Sequence, residues 1–193
     1  HTCLPRDKLL ETTAKFLRVE PQDIEAGLDE LLSTEELRTR TFDGVEYIYL
    51  PDLLSAEEDI AARLGQLSTF PTEAPKTLDA DIRVLEISQG FEYAPLQQQA
   101  IRLALSSRVM VLTGGPGTGK TTTVNAILSL YEAMYDRVAL CAPTGRAAKR
   151  LSELTHHAAS TIHRLLEVDY TSGNVRFIHN EKNLLKYDVI ILD

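Results

Sequence analysis

Cysteine is scarce and long apolar runs are missing. No hydrophobic stretch approaches the ~20 residues that a membrane-crossing helix requires, so no membrane partner is expected. The opening residues HTCLPRDKLLETT hold no apolar signal core, which argues against secretion and for a cytoplasmic location. Cys3 and Cys141 have no CxxC spacing, and the five histidines form no HExxH pattern. Two free thiols in a reducing compartment are therefore expected, not a disulfide or a zinc site. Internal repeats and low-complexity tracts are also absent, which excludes solenoid and tail-like organisation. What is present is 44% hydrophobic and 25% charged over 193 residues, enough for one globular domain or two small ones.

A formal charge of −8 speaks against nucleic acid until the chain is divided. Residues 1–90 carry 9 Lys/Arg against 19 Asp/Glu, whereas residues 91–193 carry 11 against 9. Arg137, Arg146, Lys149, Arg150 and Arg164 face only one acid between them, Glu153. Local charge, more than net charge, decides phosphate attraction, so two regions with different partners are expected.

The front half reads as helices, a hairpin and a further helix. Leu9, Leu10, Phe16 and Leu17 follow Pro5 near helical spacing, and Ile24, Leu28, Leu31 and Leu32 form an i, i+4, i+7, i+8 stripe. Asp43-Gly44 is a strong two-residue turn between β-favouring flanks that close at Pro51. SAEEDIAARLGQL predicts a helix opened by a Ser55–Glu58 capping box, with Ile60, Leu64 and Leu67 packed on one face. This order is winged-helix-like, and its acidity favours contact with protein over DNA. Residues 69–76, with Pro71 and Pro75, suit a linker. DADIRVLEISQG predicts a helix stopped by Gly90, and YAPLQQQAIRLAL another with Pro95 near its start. From Arg108 onward, apolar strands (RVMVLT, RVALCA, YDVIILD) alternate with helices, one running to about Tyr135 and one from about Gly145. That alternation predicts an α/β fold around a parallel sheet with helices on both faces. The expected division is a module over 1–70, a linker and connecting helix over 71–92, and an α/β domain over 93–193.

Gly114, Gly115, Pro116, Gly117, Thr118, Gly119, Lys120, Thr121 and Thr122 spell GGPGTGKTT, and the first eight satisfy GxxxxGK[ST] at every position. Glycines let the backbone curl so that successive N–H groups point at a phosphate, and the following helix adds its positive end. Lys120 is expected to reach the β and γ phosphates of ATP as the catalytic cation, and the Thr121 hydroxyl to ligate Mg²⁺. Val189 to Leu192 lead into Asp193, which suits the second metal-side ligand of such a site.

These segments together resemble the first motor domain of superfamily 1 DNA helicases of the RecD-like family, over residues 93–193. YAPLQQQAI resembles the Q motif, which implies that Gln97 reads the adenine edge. GGPGTGKTT resembles motif I, CAPTGRAAKRLSE motif Ia, and ASTIHRLL the DNA-contact motif that follows. LPRDKLLETTAKFL and YIYLPDLLSAEEDIAARL are similar to the region ahead of the motor. The resemblance implies single-stranded DNA contacts from Pro143, Thr144, Arg146, Thr161 and His163. The residues by themselves admit plainer readings. Gln97 adjoins Gln98 and Gln99 on one helix, although the spacing to Ala100-Ile101 favours Gln97. Pro143-Thr144-Gly145 also suits a strand-to-helix turn, Lys149 and Arg150 a solvated face, and Thr161 and His163 an N-cap and a packed imidazole.

The resemblance implies an ATP-driven helicase of DNA repair or recombination, translocating 5′ to 3′ on single strands. The acidic front module would serve protein partners in those processes. It also implies a general-base Glu after Asp193, a γ-phosphate sensor and a second motor domain carrying an arginine finger. Without these, the 193 residues are expected to bind ATP weakly and not to unwind DNA. In that family the strand between the first and the Asp-bearing one comes later in sequence, so the parallel sheet is expected to be incomplete. A small P-loop kinase and a non-catalytic nucleotide-binding module of a recombination complex are the alternatives.

Overall fold

Prolines and left-handed residues set most of the helix boundaries. The computed structural model describes residues 2–70, 72–134, 137–169 and 176–193; the expected helix end at Tyr135 and the linker's Pro71 lie outside them. The chain divides into two compact units, His1–Phe70 and Pro71–Asp193. Among the described residues no helix is long and apolar enough to cross a membrane.

The first unit runs β1 (Cys3–Pro5), α1 (Arg6–Leu17), α2 (Pro21–Ser33), β2 (Arg38–Phe42), β3 (Val45–Tyr49) and α3 (Pro51–Ser68). The β2–β3 hairpin turns through Asp43 (φ 49°) and Gly44 (φ 78°), with Phe42 opposite Val45. Two successive positive φ values make this the two-residue turn whose twist matches the strands. Three-residue β1, which the sequence pattern did not reveal, adds to the far side of β3 with Cys3 opposite Tyr49. Ala14, Leu28, Ile48, Tyr49 and Leu54 form the buried set. Arg6 ties the layers together by donating to Asp29 at 2.7 Å and Glu46 at 3.3 Å. Two expectations fail in α3. The helix begins at Pro51 rather than at Ser55, because a proline at the first helical turn sacrifices no intrahelical bond. Ile60, Leu64 and Leu67 share a face but stay exposed, since this helix buries Leu54 alone.

The second unit begins with α4 (Leu78–Gln89), closed by Gly90 at φ 72°, and α5 (Pro95–Ser106) with proline in its first turn. Then follow α6 (Lys120–Ala133), β4 (Val138–Ala142), α7 (Gly145–Thr155), β5 (Ala159–Thr161), α8 (Ile162–Leu166), β6 (Val168–Asp169), β7 (Arg176–Phe177) and β8 (Val189–Leu192). β4 is the middle of a parallel sheet ordered β5-β4-β8, with Ala142 opposite Thr161 and Cys141 opposite Leu192. One core gathers Leu78 and Ile82 of α4, Ile101 and Leu105 of α5, and Ala126, Ile127 and Leu130 of α6. α4, a connecting helix by sequence, thus contributes to this core. A second joins Leu128, Leu140 and Leu151 across α6, β4 and α7, and Ile191 of β8 packs against both. Arg137 pins the start of β4 to β8: its backbone N–H and Nε donate to Asp188 Oδ2 at 2.9 and 3.0 Å.

RVMVLT, expected as the first strand of the sheet, is not a strand. A strand needs a hydrogen-bonded neighbour, and no described strand flanks residues 108–113. The segment keeps a period-two pattern all the same: Met110 and Leu112 line a cleft while Val111 is 80% exposed. The sheet is accordingly three-stranded, and β8 has β4 as its sole described partner.

Candidate nucleotide site

The loop between the 108–113 segment and α6 curls through Gly117 (φ 74°) and Gly119 (φ 81°). Only glycine holds such φ values without strain, and a side chain at Gly114 would meet Thr118 Oγ1 at 2.7 Å. Thr118 Oγ1 in turn donates to the Gly115 carbonyl at 2.9 Å. Lys120 opens α6 and folds its ammonium back onto the loop, donating to the carbonyls of Gly114 and, at 2.8 Å, Gly115. Gly115, Pro116 and Gly117 are exposed, while Thr121 and Thr122 are half-buried in the first turn of α6. A curled loop, a helix start and a lysine held between them form a cradle suited to an anion.

Lys120 and Asp193, 73 positions apart by number, line the same cleft of about 240 Å³. Its other walls come from Met110, Leu112, Val124, Ile127, Leu151 and β8. Asp193 is placed by backbone: its N–H donates to the Cys141 carbonyl at 3.0 Å, extending the β4–β8 ladder by one residue. Among the described residues no group of three or more His, Cys, Asp or Glu side chains could hold a metal by themselves. A Mg²⁺ site here would draw on one carboxylate, one hydroxyl and the oxygens of a bound phosphate, the usual composition for that ion. Asp193 lines the cleft with Lys120, and Thr121 follows Lys120 in the first turn of α6, so a carboxylate and a hydroxyl of the kind the ion takes are present.

Gln97 faces the loop instead of solvent. Its Oε1 accepts from the Ala94 N–H at 2.9 Å and its Nε2 donates to the Gly119 carbonyl at 3.3 Å. Gln98 donates to Glu86 at 2.9 Å and to the Tyr93 carbonyl at 3.3 Å, while Gln99 is exposed. Of the three adjacent glutamines, only Gln97 reaches the phosphate loop.

The remaining predicted residues gather at the carboxyl ends of β4 and β5, where parallel sheets offer ligand crevices. Pro143 and Thr144 follow β4, and Thr161 is the last residue of β5. Both threonines cap helices: Thr144 Oγ1 accepts from the Ala147 N–H and Thr161 Oγ1 from the Arg164 N–H, each at 3.2 Å. Arg146, Lys149 and Arg150 share an exposed face of α7, with Lys149 3.9 Å from Glu153. His163 is exposed, its ring 6.0 Å from that of Phe177. Two further residues carry the site without an advance signal. Arg108 lines the cleft, and buried Thr123 donates its hydroxyl to the Gly119 carbonyl at 3.1 Å.

Comparison with known proteins bears on this geometry. The AAA domain family matches residues 97–193. The whole chain aligns at 34% identity with 27% of the ATP-dependent RecD2 DNA helicase of Deinococcus radiodurans. Over 54% of its length it is 42% identical to the RecBCD enzyme subunit RecD of Mycolicibacterium smegmatis, taking in 22% of that protein. Over 76% it is 36% identical to the same subunit of Mycobacterium tuberculosis, taking in 28%. The chain thus spans less than a third of the length of each relative.

Proposed function

The chain belongs to the RecD-like helicases of the AAA domain family, and from that premise we propose that it supplies the nucleotide-binding part of an ATP-driven motor moving 5′ to 3′ on single-stranded DNA. One observation carries the reading. The cleft lined by Lys120 and Asp193 takes in β8, and in the same sheet β4 leads through Pro143 into Thr144 while β5 ends at Thr161. Triphosphate oxygens replace the Gly114 and Gly115 carbonyls as partners of the Lys120 ammonium. The loop N–H groups and the start of α6 hold the remaining charge. Thr121 and Asp193 would hold Mg²⁺, which would supply positive charge beside the phosphates. Phosphoryl transfer is chiefly positioning and electrostatics, so these residues bind and orient the nucleotide.

In the same reading residues 93–193 form the motor portion, 71–92 connect it, and 1–70 serve as an acidic module for other repair or recombination proteins. Pro143, Thr144, Arg146, Thr161 and His163 face the DNA strand, the two threonine caps leaving backbone N–H groups of α7 and α8 for phosphates. Unwinding belongs to a longer protein, and the 193 residues alone bind ATP weakly with little turnover. A second reading, a nucleotide-binding subunit without its own turnover, draws on the relatives named as subunits of the RecBCD enzyme.

ATP hydrolysis with and without oligo(dT), compared between this chain and a version extended to the length of the RecD2 relative, tests the proposal. DNA-stimulated hydrolysis by the extended protein, lost in Lys120→Ala, supports the motor. DNA-independent hydrolysis by the 193 residues overturns it.

A further inference from the structure

The Gly119 carbonyl sits at the junction of the phosphate loop and α6, and three donors converge on it. The Thr123 N–H donates at 3.0 Å as the first helical bond, the Thr123 hydroxyl at 3.1 Å, and Gln97 Nε2 at 3.3 Å from another helix. Thr123 is 2% exposed, so its hydroxyl has no water to fall back on. The Gln97 amide fills the space that a side chain at position 119 would occupy. Gly119 is therefore a glycine for two reasons, its φ of 81° and the close approach of Gln97. A carbonyl held by three donors fixes the peptide plane between Gly119 and Lys120, and with it the direction in which Lys120 and Thr121 leave the loop.

We propose that Gln97 and Thr123 are positioning residues of the phosphate site, acting jointly through the Gly119 carbonyl. Gln97 then matters to the triphosphate end of the nucleotide whatever base is attached. This deepens the proposed function and rests on its phosphate site. The Gln97 Oε1 bond to the Ala94 N–H braces the clamp against the first turn of α5. A displacement of α5 consequently reaches the loop directly through this side chain, besides the core that α5 shares with α6.

The test uses the full chain and four variants: Gln97→Met, Gln97→Glu, Thr123→Val and Thr123→Ser. Affinities for Mg·ATP, Mg·GTP and Mg·tripolyphosphate are measured, together with Tm and amide exchange of Gly117 to Thr121. Gln97→Met, Gln97→Glu and Thr123→Val are expected to weaken tripolyphosphate about fivefold, the value of one ordinary hydrogen bond. ATP and GTP should fall by at least the same factor. Thr123→Ser, which keeps the hydroxyl, should restore binding to within about twofold of the parent. Tripolyphosphate affinity unchanged in Gln97→Met, or Thr123→Ser as weak as Thr123→Val, overturns the clamp. If the parent chain binds no triphosphate, the nucleotide reading fails separately, and amide exchange decides the clamp. Faster exchange in Gln97→Met and Thr123→Val but not in Thr123→Ser upholds it; equal exchange in all sinks it.

Discussion

Lys120 holds its ammonium against two carbonyls of its own loop, so the cation is tethered before any ligand arrives. Lys120→Ala is expected to reduce Mg·ATP affinity more than about tenfold, since the lost contacts are charge-assisted. The urea midpoint should barely move, because a partly exposed side chain in the first turn of α6 carries little packing. Titration calorimetry and urea unfolding of the same samples check both halves. His157 offers a different handle. Burial opposes its charge, but its contacts with the Thr155 carbonyl (2.6 Å) and Glu132 (2.9 Å) outweigh this and raise its pKa above the ordinary 6.5. The stabilisation is therefore fully present below the unfolded-state pKa and is lost as pH rises through the folded-state value. The Tm advantage of the parent over His157→Gln should accordingly shrink from pH 5.5 to pH 8.5. An advantage that grows with pH would contradict the assignment. At Asp188 the sign reverses. Hydrogen bonds from the Arg137 side chain and backbone lower its carboxyl pKa, so that contribution is lost as pH falls into the acid range.

Elements inherit their stability from caps, turns and packing in amounts that can be ranked. Thr144→Ala removes the N-cap of α7 and should cost about 1 kcal/mol, most of it retained in Thr144→Ser. Leu128→Ala opens the contact between α6, β4 and α7 and should cost about 2–5 kcal/mol. Urea unfolding followed by circular dichroism separates the two. How much of this was legible in the sequence depends on how local each determinant is. GGPGTGKTT, Asp43-Gly44, Gly90 and the helix-opening prolines each act within a few residues, and their turns and helix ends lie where the local chemistry puts them. YDVIILD became a strand because its apolar run found β4 alongside. RVMVLT has an equally apolar run and did not, since periodicity reports which side chains seek burial but not which backbone will pair. β1 escaped notice because three residues closing in proline carry no period at all, and its pairing with β3 is made across more than forty residues. Thr123 was hidden among three successive threonines, distinguishable only once helix geometry turned one hydroxyl inward.

On the scale of the whole molecule, β8 presents an exposed apolar edge. Ile190 is 51% and Leu192 59% exposed on β8, whose second edge has no described partner. Open apolar edges associate, so light scattering of the isolated chain should rise with concentration and fall in Ile190→Lys. Scattering unaffected by that substitution would place the association elsewhere. The middle strand is the opposite case. β4 is hydrogen-bonded on both sides, and Cys141 in it is 3% exposed, its thiol pKa pushed up by burial. A thiol buried on one face of that strand reacts only when the packing over that face opens. β4 lies between the strand that ends at Thr161 and the one that leads into Asp193, so the alkylation rate of Cys141, read by mass spectrometry, is a stopwatch on local opening at the middle of this sheet. Cys3, partly exposed in the other unit, supplies a less buried reference within the same polypeptide.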